Sequence, residues 1–472
     1  MRSLAMLLIV PAIGCHRERD GDAAAPSRGS VLSVTSIAPK DGAPPVRRVL
    51  AQARTSDGTL LLLMSRSWPD PSQPGDHVVQ AIDPATGRNK SGWETIRLDP
   101  DLGPPKDLTW DESGGRVYVL SQSSGMDATV AAYGLHGCKD PYFAPIRRNA
   151  SLLIGAETIL NPARVRLDPG GNIMIVSSLT ETAFEVAEQF KQSLDSSPLL
   201  AEIGDTPLMR VIEPVDYLEF DAPSPTTHSI SIDLFRVDGS PVVDLYAARD
   251  LHLSNSEGSY TITEAAFGPD GQLWIAGHTA PACAFLYTVT REGFIPDFCV
   301  PSDWSFTEAV TVRSKPATKA AYWMVDGAIA LSTSLAMDAE GNAFLGIQAN
   351  FADSSDALVA MRVNRDSLKV AARSAVALSG RTVAEEMPRS ILTSNGRLTM
   401  GIVTEGEGGV PQAQVLCFRE GTLQPDTEFA SSGILQFEPD TRRPFLENGV
   451  DGTLSVLLRR GDAELLLAKV VP

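Results

Sequence analysis

The sequence predicts an all-β fold, a β-propeller of seven blades closed into one ring, on three observations. A turn phrase recurs along the chain. Its best-preserved copy is FGPDGQLWIAGH, Phe267 to His278, and blurred copies centre on Gly58, Gly115, Gly171, Gly341, Gly396 and Gly452. Successive glycines, Gly271 included, lie 57, 56, 100, 70, 55 and 56 residues apart, so four of the six intervals agree within two residues. Such a period marks propeller blades or a solenoid. Finally, 38 glycines and 33 prolines in 472 residues suit a fold rich in turns, and no long segment sustains a helical period.

Each copy has a local reason. Asp or Asn beside Gly tolerates the positive φ of a tight hairpin. The apolar run that follows, bounded by turn residues, reads as a buried strand. A second element comes after each turn: HVVQAIDPATG from His77, ATVAAYGLHG from Ala128 and ACAFLYTVTREG from Ala282. Later copies are ALVAMRVNRDS from Ala357, AQVLCFREGTL from Ala413 and AELLLAKVV from Ala463. These read as third strands. A blade is then an inner strand, the turn, a second strand, a loop, a third strand, a turn and an outer strand.

The 100-residue interval fits this scheme if the third strand is delayed to HSISIDLFRVDGS, with Asp238 and Gly239 as its turn. Residues of about 180–226 are then an insertion in the third blade. The alternative makes the gap an eighth, degenerate blade. Inside the insertion, Thr182 to Leu194 is the best helical candidate, with Phe184, Val186, Ala187 and Phe190 as its apolar face.

The chain begins MRSLAMLLIVPAIGC. Arg2 supplies a positive start and Leu4 to Val10 an apolar core, the order of an export signal. The core is too short to span a bilayer. Ala12-Ile13-Gly14-Cys15 resembles the bacterial lipobox, although Ala12 stands where Leu is usual. The resemblance implies a diacylglycerol on Cys15, a membrane anchor of several acyl chains and residues 1–15 as a lipoprotein signal peptide. His16 rather than Asp after that Cys implies the outer membrane, facing the periplasm or the surface. The rival reading is an unlipidated Cys15 in a plain signal. Residues 16–30, polar and small, read as a flexible tether, and 31–472 as one propeller domain.

Val31 to Ile37 alternates like a strand. The seventh blade ends at Pro472 directly after its third strand, so residues 31–37 are expected to supply its outer strand and close the ring.

Net charge is -18, with no Lys/Arg cluster, which argues against a nucleic-acid partner. Besides Cys15 there are Cys138, Cys283, Cys299 and Cys417, and Cys283 with Cys299 is the first pairing to try; buried free thiols are the alternative. The six histidines, His16, His77, His136, His228, His252 and His278, stand alone, and no nucleophile elbow is present. His278 ends a strand in the best-preserved blade and reads first as an edge residue. Asp57, Asp270 and Asp451 read as turn residues, since the alternating acidic ligands of a calcium loop are missing. Glu405 to Gly409 lacks the Gly-Lys-Ser/Thr of a phosphate loop. The six scattered tryptophans read as packing. No catalytic, cofactor-binding or metal-binding residue is assigned, and no cofactor is expected.

Gly421-Thr422-Leu423 with Asp426-Thr427-Glu428-Phe429, and Pro269-Asp270-Gly271-Gln272-Leu273, resemble the two halves of bacterial delta-sixty-type propeller repeats. That resemblance implies a β-propeller on an exported bacterial protein and no particular reaction. The expectation is a lipid-anchored binding or scaffolding module of the cell envelope, with an envelope protein or glycan as partner. The alternative is a propeller enzyme, lactonase-like or quinone-dependent, with a metal or cofactor at the central channel. It would need carboxylates on different inner strands to converge on the axis.

Overall fold

A computed structural model describes residues 27–37, 44–67, 75–122, 127–148, 156–183, 226–240, 251–253, 260–279, 283–289, 310–312, 318–324, 328–351, 356–378, 380–383, 389–393, 396–449, 451–461 and 464–472. They form seven antiparallel sheets, the blades of one ring. The innermost strands are Val46–Arg54 in blade 1, Pro105–Asp111 in blade 2, Ala156–Leu167 in blade 3 and Tyr260–Phe267 in blade 4. They continue with Ala328–Met337 in blade 5, Arg389–Thr393 in blade 6 and Thr441–Asn448 in blade 7.

The seven turn glycines all have positive φ, between 61° and 87°. Around them the acidic side chains do local work. Asp57, Asp270 and Asp451 each accept a hydrogen bond from the backbone N–H two residues on, at 3.1 Å in all three. This is the Asx turn that favours Asp before Gly.

The apolar runs after the turns are buried on both sides. Leu60 to Met64 is at most 1 % exposed throughout. A blade packs against a neighbour on each face, so its second strand loses the in-out alternation of a half-exposed sheet. The core is therefore a set of wedges between blades. Ile37, Val46, Leu62, Phe445 and Leu467 belong to the wedge between blades 7 and 1. Trp274, Leu286, Leu345 and Met361 belong to the one between blades 4 and 5.

Across the long interval, strand Ile173–Ala183 pairs directly with Thr226–Phe235, Thr182 facing Thr226, so both belong to blade 3 and the described residues form seven blades. Thr182 and Ala183 are strand, because pairing with Glu157 and Ala156 of the inner strand claims their backbone; this corrects the start of the helix expected at 182–194. The remainder of that helix, 184–194, lies outside the described residues, as do Cys15, the signal peptide and the tether to residue 26. The 70-residue interval has a cause the sequence reading did not identify. Blade 4's third strand ends at Val289, and its partner Thr318–Met324, which pairs in turn with Val310–Val312, comes 29 residues later.

The ring closes as expected. Val31–Ile37 pairs antiparallel with the last strand, Glu464–Val470, and completes blade 7. Contact begins earlier in the chain. Gly29 N donates to Val471 O at 2.7 Å, and Ala430 N to Arg28 O at 3.0 Å. Arg28 Nη1 lies 2.6 Å from Glu428 Oε2, which ties the same segment to blade 6.

Candidate functional site in the central channel

From blade 1 to blade 7 each inner strand touches the next, and blade 7 meets blade 1 through Glu447 and Gln52, so the side chains they turn inward meet on the ring axis. Several of these strands bulge there. Register shifts fall between Pro105 and Asp107, Pro162 and Arg164, Ile262 and Glu264, and Arg442 and Phe445. A bulge re-aims the residue beside it. In each case that residue, Asp107, Arg164, Glu264 or Phe445, lines a cavity of about 210 Å³ on the axis.

One wall is charged and internally neutralised. Arg166 Nη1 donates to Asp107 Oδ2 at 2.6 Å and to Val165 O at 2.7 Å. Its Nε donates to Ala265 O at 2.8 Å, and its Nη2 reaches Glu264. Asp107 is 4 % exposed and also accepts from Val165 N at 3.0 Å. Burial works against the Arg166 charge, but Asp107 and Glu264 more than offset it and hold its pKa above the ordinary value. Arg164 lies beside it, Nε 3.5 Å from Glu264, Nη1 on Ala163 O and Nη2 on Thr263 O. Two arginines of blade 3 thus clamp blades 2 and 4.

The facing wall is polar at one point and apolar elsewhere. Gln52 of blade 1 donates through Nε2 to Leu446 O and to Glu447 Oε1 of blade 7, both at 3.1 Å. Its Oε1 is buried without a hydrogen-bond partner. Burial pushes the Glu447 carboxyl up to about 7, against the opposing pull of Arg54 and the Gln52 hydrogen bond. Arg54 itself donates to Asn448 O. Leu50, Ile391 and Phe445 complete the lining.

No catalytic or metal residue was assigned from sequence, and these residues were not singled out there. Carboxylates on different inner strands do converge on the axis, but Asp107 and Glu264 are bound up with arginines. Among the described residues no three His, Cys, Asp or Glu side chains gather in a way that could hold a metal ion.

The residues weighed from sequence lie elsewhere. His278 pairs in the second strand of blade 4, away from the cavity lining; burial pushes its pKa down to about 4. Cys283 is buried, while Cys299 lies outside the described residues, so the suggested pair does too. Cys138 is exposed and free; Cys417 is free and buried, and burial pushes its thiol up to about 12. Trp93 and Trp110 pack on each other, ring centres 5.2 Å apart, and Trp274 is wholly buried.

No protein-family profile matches the chain, and no curated protein matches it either. Solved structures do. A Bacteroides uniformis protein provisionally named a 6-phosphogluconolactonase has 11 % identity and a TM-score of 0.41, over 82 % of this chain and 88 % of that one. Sqt1 of Saccharomyces cerevisiae has 8 % identity and a TM-score of 0.41, over 94 % and 100 %. A Dyadobacter fermentans protein of unknown function has 10 % identity and a TM-score of 0.35, over 94 % and 99 %. Likeness at this level carries no argument about function. The seven blades rest on the strand pairing itself.

Proposed function

We propose that this chain is an exported, lipid-anchored β-propeller that serves the cell envelope as a binding module and takes a small ligand on its ring axis. The observation that carries the binding half is the axial cavity. Asp107 and Glu264 are matched by Arg164 and Arg166 within the protein, so that wall is set before anything enters, as suits a preformed pocket. The anchoring half is supported by Arg2, the apolar core to Val10 and Ala12-Ile13-Gly14-Cys15, whose form resembles the lipobox. Loops at the channel mouths are the natural place for an envelope protein or glycan to touch the ring.

Two measurements test it. Cys15→Ser in a bacterial host is expected to move the protein from the membrane to the soluble fraction; a variant that stays with the membrane sinks the anchor. The purified chain is then screened by thermal shift against small cationic, neutral and anionic molecules. Leu50→Trp, which fills the cavity, is the control. Stabilisation that disappears in Leu50→Trp supports an axial ligand. Stabilisation that ignores the substitution, or none at all, removes it.

A further inference from the structure

Donors and acceptors are divided unevenly across the axial cavity. On the charged wall, Arg166 meets a carbonyl or carboxylate oxygen through each of its three nitrogens. Arg164 does the same. Neither guanidinium is left waiting for an anion. On the facing wall the surplus is of acceptors. Glu447 has one hydrogen bond from a described residue, the one from Gln52 Nε2. The Gln52 Oε1 beside it has none. Arg54, whose charge also acts on Glu447, spends Nη1 on Asn448 O; its Nε is buried without a partner, but Arg54 is not among the residues that line the cavity. What enters must therefore bring donors.

It must also be small and partly apolar, because the cavity holds about 210 Å³ and Leu50, Ile391 and Phe445 line part of it. A positive charge fits best. An ionised carboxylate in a low-dielectric site is costly alone, and an opposite charge in contact offsets that cost. The chain's net charge of -18 also draws cations toward it.

We propose that the axial pocket binds a small organic cation, an alkylammonium or amidinium with a short apolar body, whose head sits on Glu447 and whose body lies against Leu50, Ile391 and Phe445. This rests on the reading of the channel as a binding site and names the ligand class. Gln52 is a positioning residue that holds Glu447 toward the cavity. The ionisable groups facing Glu447 are Arg54 beside it and Asp107, Arg164, Arg166 and Glu264 across the cavity. The four across the cavity are paired with one another, so Glu447 is the group that gains most from an added cation.

The test is calorimetric titration of the purified full chain with butylamine and benzamidine, and with butanol and butyrate as neutral and anionic counterparts. The amines are expected to bind saturably, about tenfold more weakly in Glu447→Gln and more weakly at pH 6 than at pH 8. Butanol and butyrate are expected not to bind measurably. Leu50→Trp, which leaves the carboxylate in place, should abolish amine binding and decides the matter if Glu447→Gln fails to fold. Amine binding indifferent to both substitutions overturns the proposal. If butanol or butyrate binds in a Leu50→Trp-sensitive way and the amines do not, the cation is wrong and the binding channel survives. If none of the four binds and no wider screen finds an axial ligand, both fall together.

Discussion

Arg166 on blade 3 holds Asp107 on the neighbouring blade 2, with 2.6 Å between Nη1 and Oδ2. Asp107 is 4 % exposed, so its charge depends on this partner rather than on water. Removing one member of such a pair strands the other. Arg166→Met is expected to cost about 3–5 kcal/mol, and Arg166→Met with Asp107→Asn distinctly less than the sum of the two single changes. Urea unfolding of the four proteins measures the coupling. Additive effects would mean that the pair is not a clamp between blades.

The clasp at the ring's end makes a second prediction. Gly29 has a φ of +73°, and a Cβ placed there would lie 2.3 Å from Ala430 N. Any side chain must push the first segment off blade 6. Gly29→Ala is expected to lower the melting temperature, and deletion of residues 27–37 to lower it further. Deletion also bares the edge of Glu464–Val470, so light scattering should show association. A deletion that melts like the intact chain and stays monomeric would show that the ring does not depend on this strand.

The third prediction concerns the long segment between the second and third strands of blade 3. Thr182 and Thr226 face each other in register, so the two strands stand where a short hairpin turn can join them. Replacing residues 184–225 by Asn-Gly is expected to leave the melting temperature of the ring within a few degrees of the intact chain. Loss of the cooperative transition would show that this segment is part of the core.

Such results bear on what a sequence can reveal. The blades were legible because one local requirement, a positive-φ glycine between buried strands, recurs seven times with residues specific to it. The closing strand was legible because Val31 to Ile37 alternates like a strand ahead of the first full blade, and blade 7 takes it as its fourth. The axial site was not, because it has no local signature. Gln52, Asp107, Arg166, Glu264 and Glu447 are each solitary, and only the ring brings blades 1 and 7 together across nearly the whole chain. The bulges that turn Asp107 and Glu264 inward are also silent in sequence, since they depend on how two strands pair. One signal was present. A charged or amide residue stands five to eight positions before the turn glycine in six of the seven inner strands.

The last prediction follows from Glu447. Burial raises its carboxyl to about 7 in the folded chain, from an ordinary value of 4.5. Between those values the folded protein keeps a proton that the unfolded chain has already lost. Stability therefore falls as pH climbs from about 4.5 to about 7 and levels off above, at a cost on the order of 2–3 kcal/mol from this one group. Glu447→Gln cannot titrate and retains an acceptor near Gln52. It is expected to match the native chain near pH 4.5 and to exceed it by pH 8. Other carboxylates shift both proteins alike, so the quantity to follow is the difference between their urea midpoints across that range. A difference that does not change with pH would place Glu447 in contact with water and return its pKa to the ordinary range. A saturating amine should shrink the same difference at pH 8, because a bound cation adds to Glu447 a counter-charge beyond that of Arg54.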